Sequence, residues 1–159
     1  MGSGALVRED IPDLIKTGAK EMGTRSTIGI KEGDKVKAIY CHWDGYPEGV
    51  GATLAEHYTE AKKVRQLLEV GNISALRQEI GEAQDFNKPK EEWSIAYGRD
   101  RGETGQEART FTSVSDWLEN FNSGEEYFYL YTEGKGWAYS IGRFKSLDFI
   151  SLKTLEEVK

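Results

Sequence analysis

The chain has 159 residues, of which 38% are hydrophobic, 11% aromatic and 30% charged, with a formal net charge of -6. That length fits one domain, the apolar share can fill a core, and the charged share fits a solvated surface rather than disorder. The acidic balance, with Lys and Arg spread among Asp and Glu, argues against a nucleic-acid partner; no apolar run approaches the roughly 18 residues of a membrane span, and a single cysteine, Cys41, rules out an internal disulfide.

In chain order, Met1-Gly2-Ser3-Gly4 reads as a cloning leader and 5–21 as a short helix, capped by Asp10 with Pro12 in its first turn. Residues 1–21 are therefore expected to be a leader or extension, and 22–159 a single α+β domain. The start lacks the apolar core of a signal peptide, which points to the cytoplasm. A hairpin follows: strands over 27–31 and 36–42 flank the turn-forming Glu32-Gly33-Asp34-Lys35. In its second strand Val36, Ala38, Tyr40 and His42 share one face, and Ile39, Cys41 and Trp43 the other. Neither face is purely polar, so this strand is expected inside the sheet.

Leu54, Tyr58, Ala61, Val64 and Leu68 fall at helical spacing and predict one long helix over 50–70, ended by Gly71-Asn72. Leu76 and Ile80 predict a second short helix over 73–80. A polar loop over 81–92 leads to a middle strand over 93–97 and an exposed loop over 98–105. Ser113 or Ser115 can cap a short helix over 116–121, and a second hairpin joins 126–132 to 137–141 around Glu133-Gly134-Lys135-Gly136. Apolar residues in the tail from Arg143 are expected to pack onto the domain. The predicted fold is an antiparallel sheet of about five strands, two hairpins plus the middle strand, against one long and two or three short helices.

Two segments concentrate chemistry. In His42-Trp43-Asp44-Gly45-Tyr46-Pro47-Glu48 two consecutive turns deliver the chain to a helix start, whose free N–H groups suit an anion. His42, Trp43, Asp44, Tyr46 and Glu48 surround that point; the same residues would also serve as a plain scaffold loop. In the second segment Arg99 and Arg101 flank Asp100, and such a pair can clamp a phosphate or carboxylate. Its competing reading is a self-neutralising ion-pair turn of little energetic worth. Arg25, before the first strand, could add a cation. Metal chemistry is weak, because Cys41 and His42 are adjacent on a strand and point to opposite faces. No nucleophile elbow, Walker loop or dinucleotide fingerprint occurs, and no cofactor is implied.

The stretches Gly23-Thr24-Arg25-Ser26, Tyr40-Cys41-His42-Trp43-Asp44-Gly45-Tyr46-Pro47 and Tyr97-Gly98-Arg99-Asp100-Arg101-Gly102-Glu103 resemble a group of small proteins of tailed bacteriophages and prophages. These have no settled activity. The resemblance covers about Met22 to the last hairpin and implies an accessory protein of the host bacterial cytoplasm. The leading expectation is a non-catalytic binding or inhibitory protein that engages a host protein or an anionic small molecule. A small nucleotide- or phosphoester-processing enzyme, with His42 as acid or base, is the second reading, and a virion or assembly component the third.

Overall fold

The computed structural model describes residues 23–121 and 124–141, so the expected N-terminal helix and the packing of the C-terminal tail lie outside the described residues. The architecture is α+β. The hairpin strands β1 (Ser26–Glu32) and β2 (Lys35–Cys41) lead through a π-turn (Pro47–Gly51) to helices α1 (Ala52–His57) and α2 (Ala61–Val70). Then come β3 (Ile73–Ala75), β4 (Ile95–Ala96), helix α3 (Tyr97–Arg101), β5 (Arg109–Phe111), helix α4 (Val114–Asn120) and the hairpin β6 (Tyr127–Thr132) and β7 (Gly136–Ile141). The strands form one sheet in the order β4-β3-β2-β1-β6-β7, with β5 also paired to β2.

The sheet is mixed, which corrects the antiparallel expectation. Both hairpins pair as predicted, but β1 runs parallel to β6 and β2 parallel to β3. Seven strands replace five because Ile73–Ala75 and Arg109–Phe111 are extended rather than helical or looped. Ile73 and Ala75 are buried on either side of Ser74, and the His42 N–H donates to the Ile73 carbonyl at 3.2 Å, so this segment finds its hydrogen bonds on β2. The middle strand shrinks to Ile95–Ala96; Tyr97, expected to end it, instead opens α3, which runs on to Arg101 where a loop was expected.

The long helix is also corrected, into α1 and α2. Tyr58 leaves the helix at φ -123° and Glu60 is extended. The break is held by side chains from the second hairpin. The Trp137 indole donates to the Tyr58 carbonyl at 2.9 Å, and the Tyr131 hydroxyl donates to the Thr59 carbonyl at 3.2 Å. Carbonyls freed by ending a helix need such partners when they lie near the core. The cap of α4 follows expectation: the Asp116 N–H donates to Ser113 Oγ at 3.0 Å.

Strand alternation sends side chains to two cores. Ile28, Ile30, Ile39, Cys41 and Ile73 face Leu54, Val64, Leu67 and Leu68 of α1 and α2. On the opposite face Val36, Ala38, Phe128 and Leu130 meet Phe111, Trp117, Leu118 and Phe121, carried by β5, α4 and the residue after it. There the Trp117 indole donates to Thr27 Oγ1 at 3.1 Å. With β1 on one side and β3 and β5 on the other, β2 lies inside the sheet, as its two apolar faces predict.

Candidate functional site

The second face changes character just beyond Thr27 and Ala38. Along its outer edge β2 pairs with β5 at Val36–Ala38 and with β3 at Cys41. Between the two, Asn72 fills the junction: its Oδ1 accepts the Tyr40 N–H at 2.9 Å, and its Nδ2 donates to Gln106 Oε1 at 3.1 Å. Past this junction the face is floored by half-buried Tyr40 and His42 rather than by aliphatic residues. Ser74 is buried and lies close to Tyr97, which follows core-facing Ala96.

The Tyr40 hydroxyl lies 2.7 Å from His42 Nδ1. Burial pushes the Tyr40 phenol up to about 12; Arg25 nearby opposes that rise, and Tyr97 and Glu125 add to it. Burial, followed by the Arg25 charge, holds His42 below the ordinary histidine value. With the phenol, the stronger donor of the two, donating to Nδ1 of a neutral imidazole, the ring proton sits on Nε2 and that nitrogen is free to donate. The register that pairs Ser26 with Cys41 sets Arg25 opposite His42. Arg25 Nε is buried and has no hydrogen-bond partner among the described residues.

Trp43 stands at the rim, its ring edge-on to His42 with centroids 4.7 Å apart. On the far side, Tyr97 stacks on Phe86 at 5.8 Å, and the exposed Arg101 guanidinium lies 4.2 Å from the Phe86 ring centroid and pairs with Glu103. The structure therefore brings Arg25 beside His42, sets Trp43 edge-on to His42 past the end of β2, and places Tyr97 near Tyr40 with Arg101 against Tyr97.

The other expected residues go elsewhere. Asp44, at φ +59°, turns the chain over the end of the sheet toward the helix-covered side. The Tyr129 hydroxyl holds that crossing by donating to the Gly45 carbonyl at 2.7 Å, and the Val50 N–H donates to the Asp44 carbonyl. Tyr46 donates to Asp44 Oδ1 at 3.2 Å, so Asp44 and Tyr46 engage each other, and Glu48 lies on the exposed side of the turn. The expected anion-receptive helix start is a π-turn leading into a six-residue helix with no side-chain cap.

Arg99 and Asp100 are bound into the scaffold. Arg99 donates to the Ile80 and Ser94 carbonyls at 2.9 and 2.7 Å and grips Asp100 from Nε at 2.8 Å. Asp100, with its side chain fully buried, also accepts the N–H groups of Ala96 and Gln84 at 2.8 and 3.1 Å. Burial pushes the Asp100 carboxyl up, but Arg99 and those N–H donors outweigh it and hold it below the usual carboxylate value. The pair ties the 80–94 segment to α3.

Tyr40, Ser74, Phe86, Tyr97 and Glu125 were not among the expected site residues. Only Tyr40 left a sequence trace, as it alternates onto the same strand face as His42. Among the described residues no three of His, Cys, Asp and Glu are grouped so as to hold a metal ion, and no helix is long and apolar enough to cross a membrane. Cys41 is fully buried beneath this floor, its thiol pushed up to about 12 by burial. Compared with known proteins, the chain matches no family model, no curated protein and no solved structure.

Proposed function

We propose that the protein is a phage-type accessory protein of the host cytoplasm that acts by binding, capturing an anionic group on the second face between Arg25 and Arg101. The observation that carries this reading is the buried Arg25 Nε, which has no hydrogen-bond partner among the described residues, beside the Tyr40–His42 pair. A desolvated guanidinium donor left unmatched costs free energy, and an oxyanion that displaces the groups sealing Nε from solvent would recover it. His42 Nε2 supplies a neutral donor next to it, and Arg101, held by Glu103, adds a cation against Tyr97. Titration calorimetry with phosphate, pyrophosphate and ribose 5-phosphate tests this directly. Saturable binding that Arg25→Gln weakens by about tenfold or more, with the circular dichroism spectrum unchanged, is the expected result. Absence of binding, or binding indifferent to Arg25, refutes it.

The enzymatic reading rests on the Tyr40–His42 contact, since a hydroxyl-oriented imidazole is a serviceable proton carrier. It requires turnover of a phosphoester that disappears in His42→Ala. Binding without turnover leaves the capture reading in place.

A further inference from the structure

Trp43 narrows the chemistry of the ligand. It is the one large apolar side chain standing exposed among the described residues, at 39%. A lone exposed apolar residue is ordinary on a protein surface, but this one is held in place. The Trp43 N–H donates to the Ser74 carbonyl at 3.0 Å, and its carbonyl accepts from the Cys41 thiol at 3.6 Å. Its ring is perpendicular to that of His42. Behind both rings lies Gly23 at φ +78°, where an added Cβ would sit 3.3 Å from the Trp43 ring and 3.3 Å from His42 Nε2. The indole is thus backed by a glycine and a histidine, and it stands partly exposed; that glycine lies two residues before Arg25 in the chain.

From this we infer that the ligand is a nucleoside phosphate: its planar base stacks on Trp43 while its phosphate reaches Arg25 and the Nε2 proton of His42. The inference rests on the anion-binding reading above and adds the ring. Aromatic stacking of a base tolerates any base because every base presents a π-face, so the geometry specifies a nucleotide without choosing among bases. A sugar phosphate has the anion without the ring, and comparison of the two isolates the contribution of Trp43.

The experiment is calorimetric titration of the intact chain with adenosine, guanosine, cytidine and uridine monophosphates beside ribose 5-phosphate. At least one nucleotide should bind about tenfold or more tightly than the sugar phosphate. Trp43→Ala should erase that margin, and Trp43→Phe should restore most of it. Nucleotides that bind no better than ribose 5-phosphate, or a margin that survives Trp43→Ala, overturn this inference and leave the anion site standing. Failure of every phosphate to bind overturns both readings.

Discussion

The helix-covered face and the opposite face are made by the same strands, yet they treat polar groups differently where β2 ends. On the helix-covered side hydroxyl and indole donors find backbone carbonyls: Tyr58 on Arg77, Tyr129 on Gly45, Tyr131 on Thr59 and Trp137 on Tyr58. On the other side the cover of Trp117 and Phe121 reaches Tyr40, and beyond it, among the described residues, the face runs on into His42 and Arg25. A face becomes a surface for recognition where its packing cover ends before its strands do. The same division runs through α3, where Arg99 turns inward to the scaffold while Arg101, two residues on, lies exposed over Phe86.

The sharpest way to break the comparison is to exchange the fates of α3's charges. Asp100→Ala leaves the Arg99 guanidinium and two backbone N–H groups without their shared acceptor, and it should cost about 3 kcal/mol or more in urea unfolding. Arg101→Ala removes an exposed ion pair and a stacked guanidinium and should cost less than about 1 kcal/mol. Equal losses would mean that both arginines are scaffold. A smaller effect is expected at the loop crossing. Tyr129→Phe strands the buried Gly45 carbonyl and should cost about 1–3 kcal/mol, while anion affinity on the other face stays within about twofold of the parent. A tenfold loss of affinity would show that the 44–51 turn belongs to the site after all.

Local patterns carried part of this far. Period-two alternation in 36–42 is a local property, so the placement of β2 inside the sheet and the shared face of Tyr40 and His42 could be read directly. Both hairpins and the Ser113 cap rest on turn and cap chemistry of the same short range. The parallel pairings of β1 with β6 and β2 with β3 depend on contacts about 100 and 32 residues apart along the chain, and no local pattern encodes them. The break at Tyr58 escaped for a related reason: the apolar spacing continues through it, and only the Trp137 and Tyr131 donors reveal why the backbone leaves the helix. Arg99 and Arg101 look equivalent in sequence, and their divergence depends on the Ile80 and Ser94 carbonyls that fold back beside one of them.

The smallest expected effect is also the most specific to the second face. Burial first, and then the Arg25 charge, lowers His42 below its ordinary value, so the unfolded chain takes up that proton before the native state does. Stability must then fall as pH drops through the ordinary histidine value of about 6.5 toward the lowered native one, and be unaffected by this group above that window. Protonation would also require His42 Nδ1 to give up the hydrogen bond donated by Tyr40. His42→Gln removes the titration while keeping a polar side chain. Urea midpoints at pH 7.5 and 5.5 should therefore show a smaller acid-induced loss in the variant than in the parent. Every other residue is common to both chains, so the difference between the two losses isolates His42. An identical loss in the two would mean that the native state holds this imidazole no more neutral than water does, and the assignment of a neutral Nε2 donor beside Arg25 would fall with it.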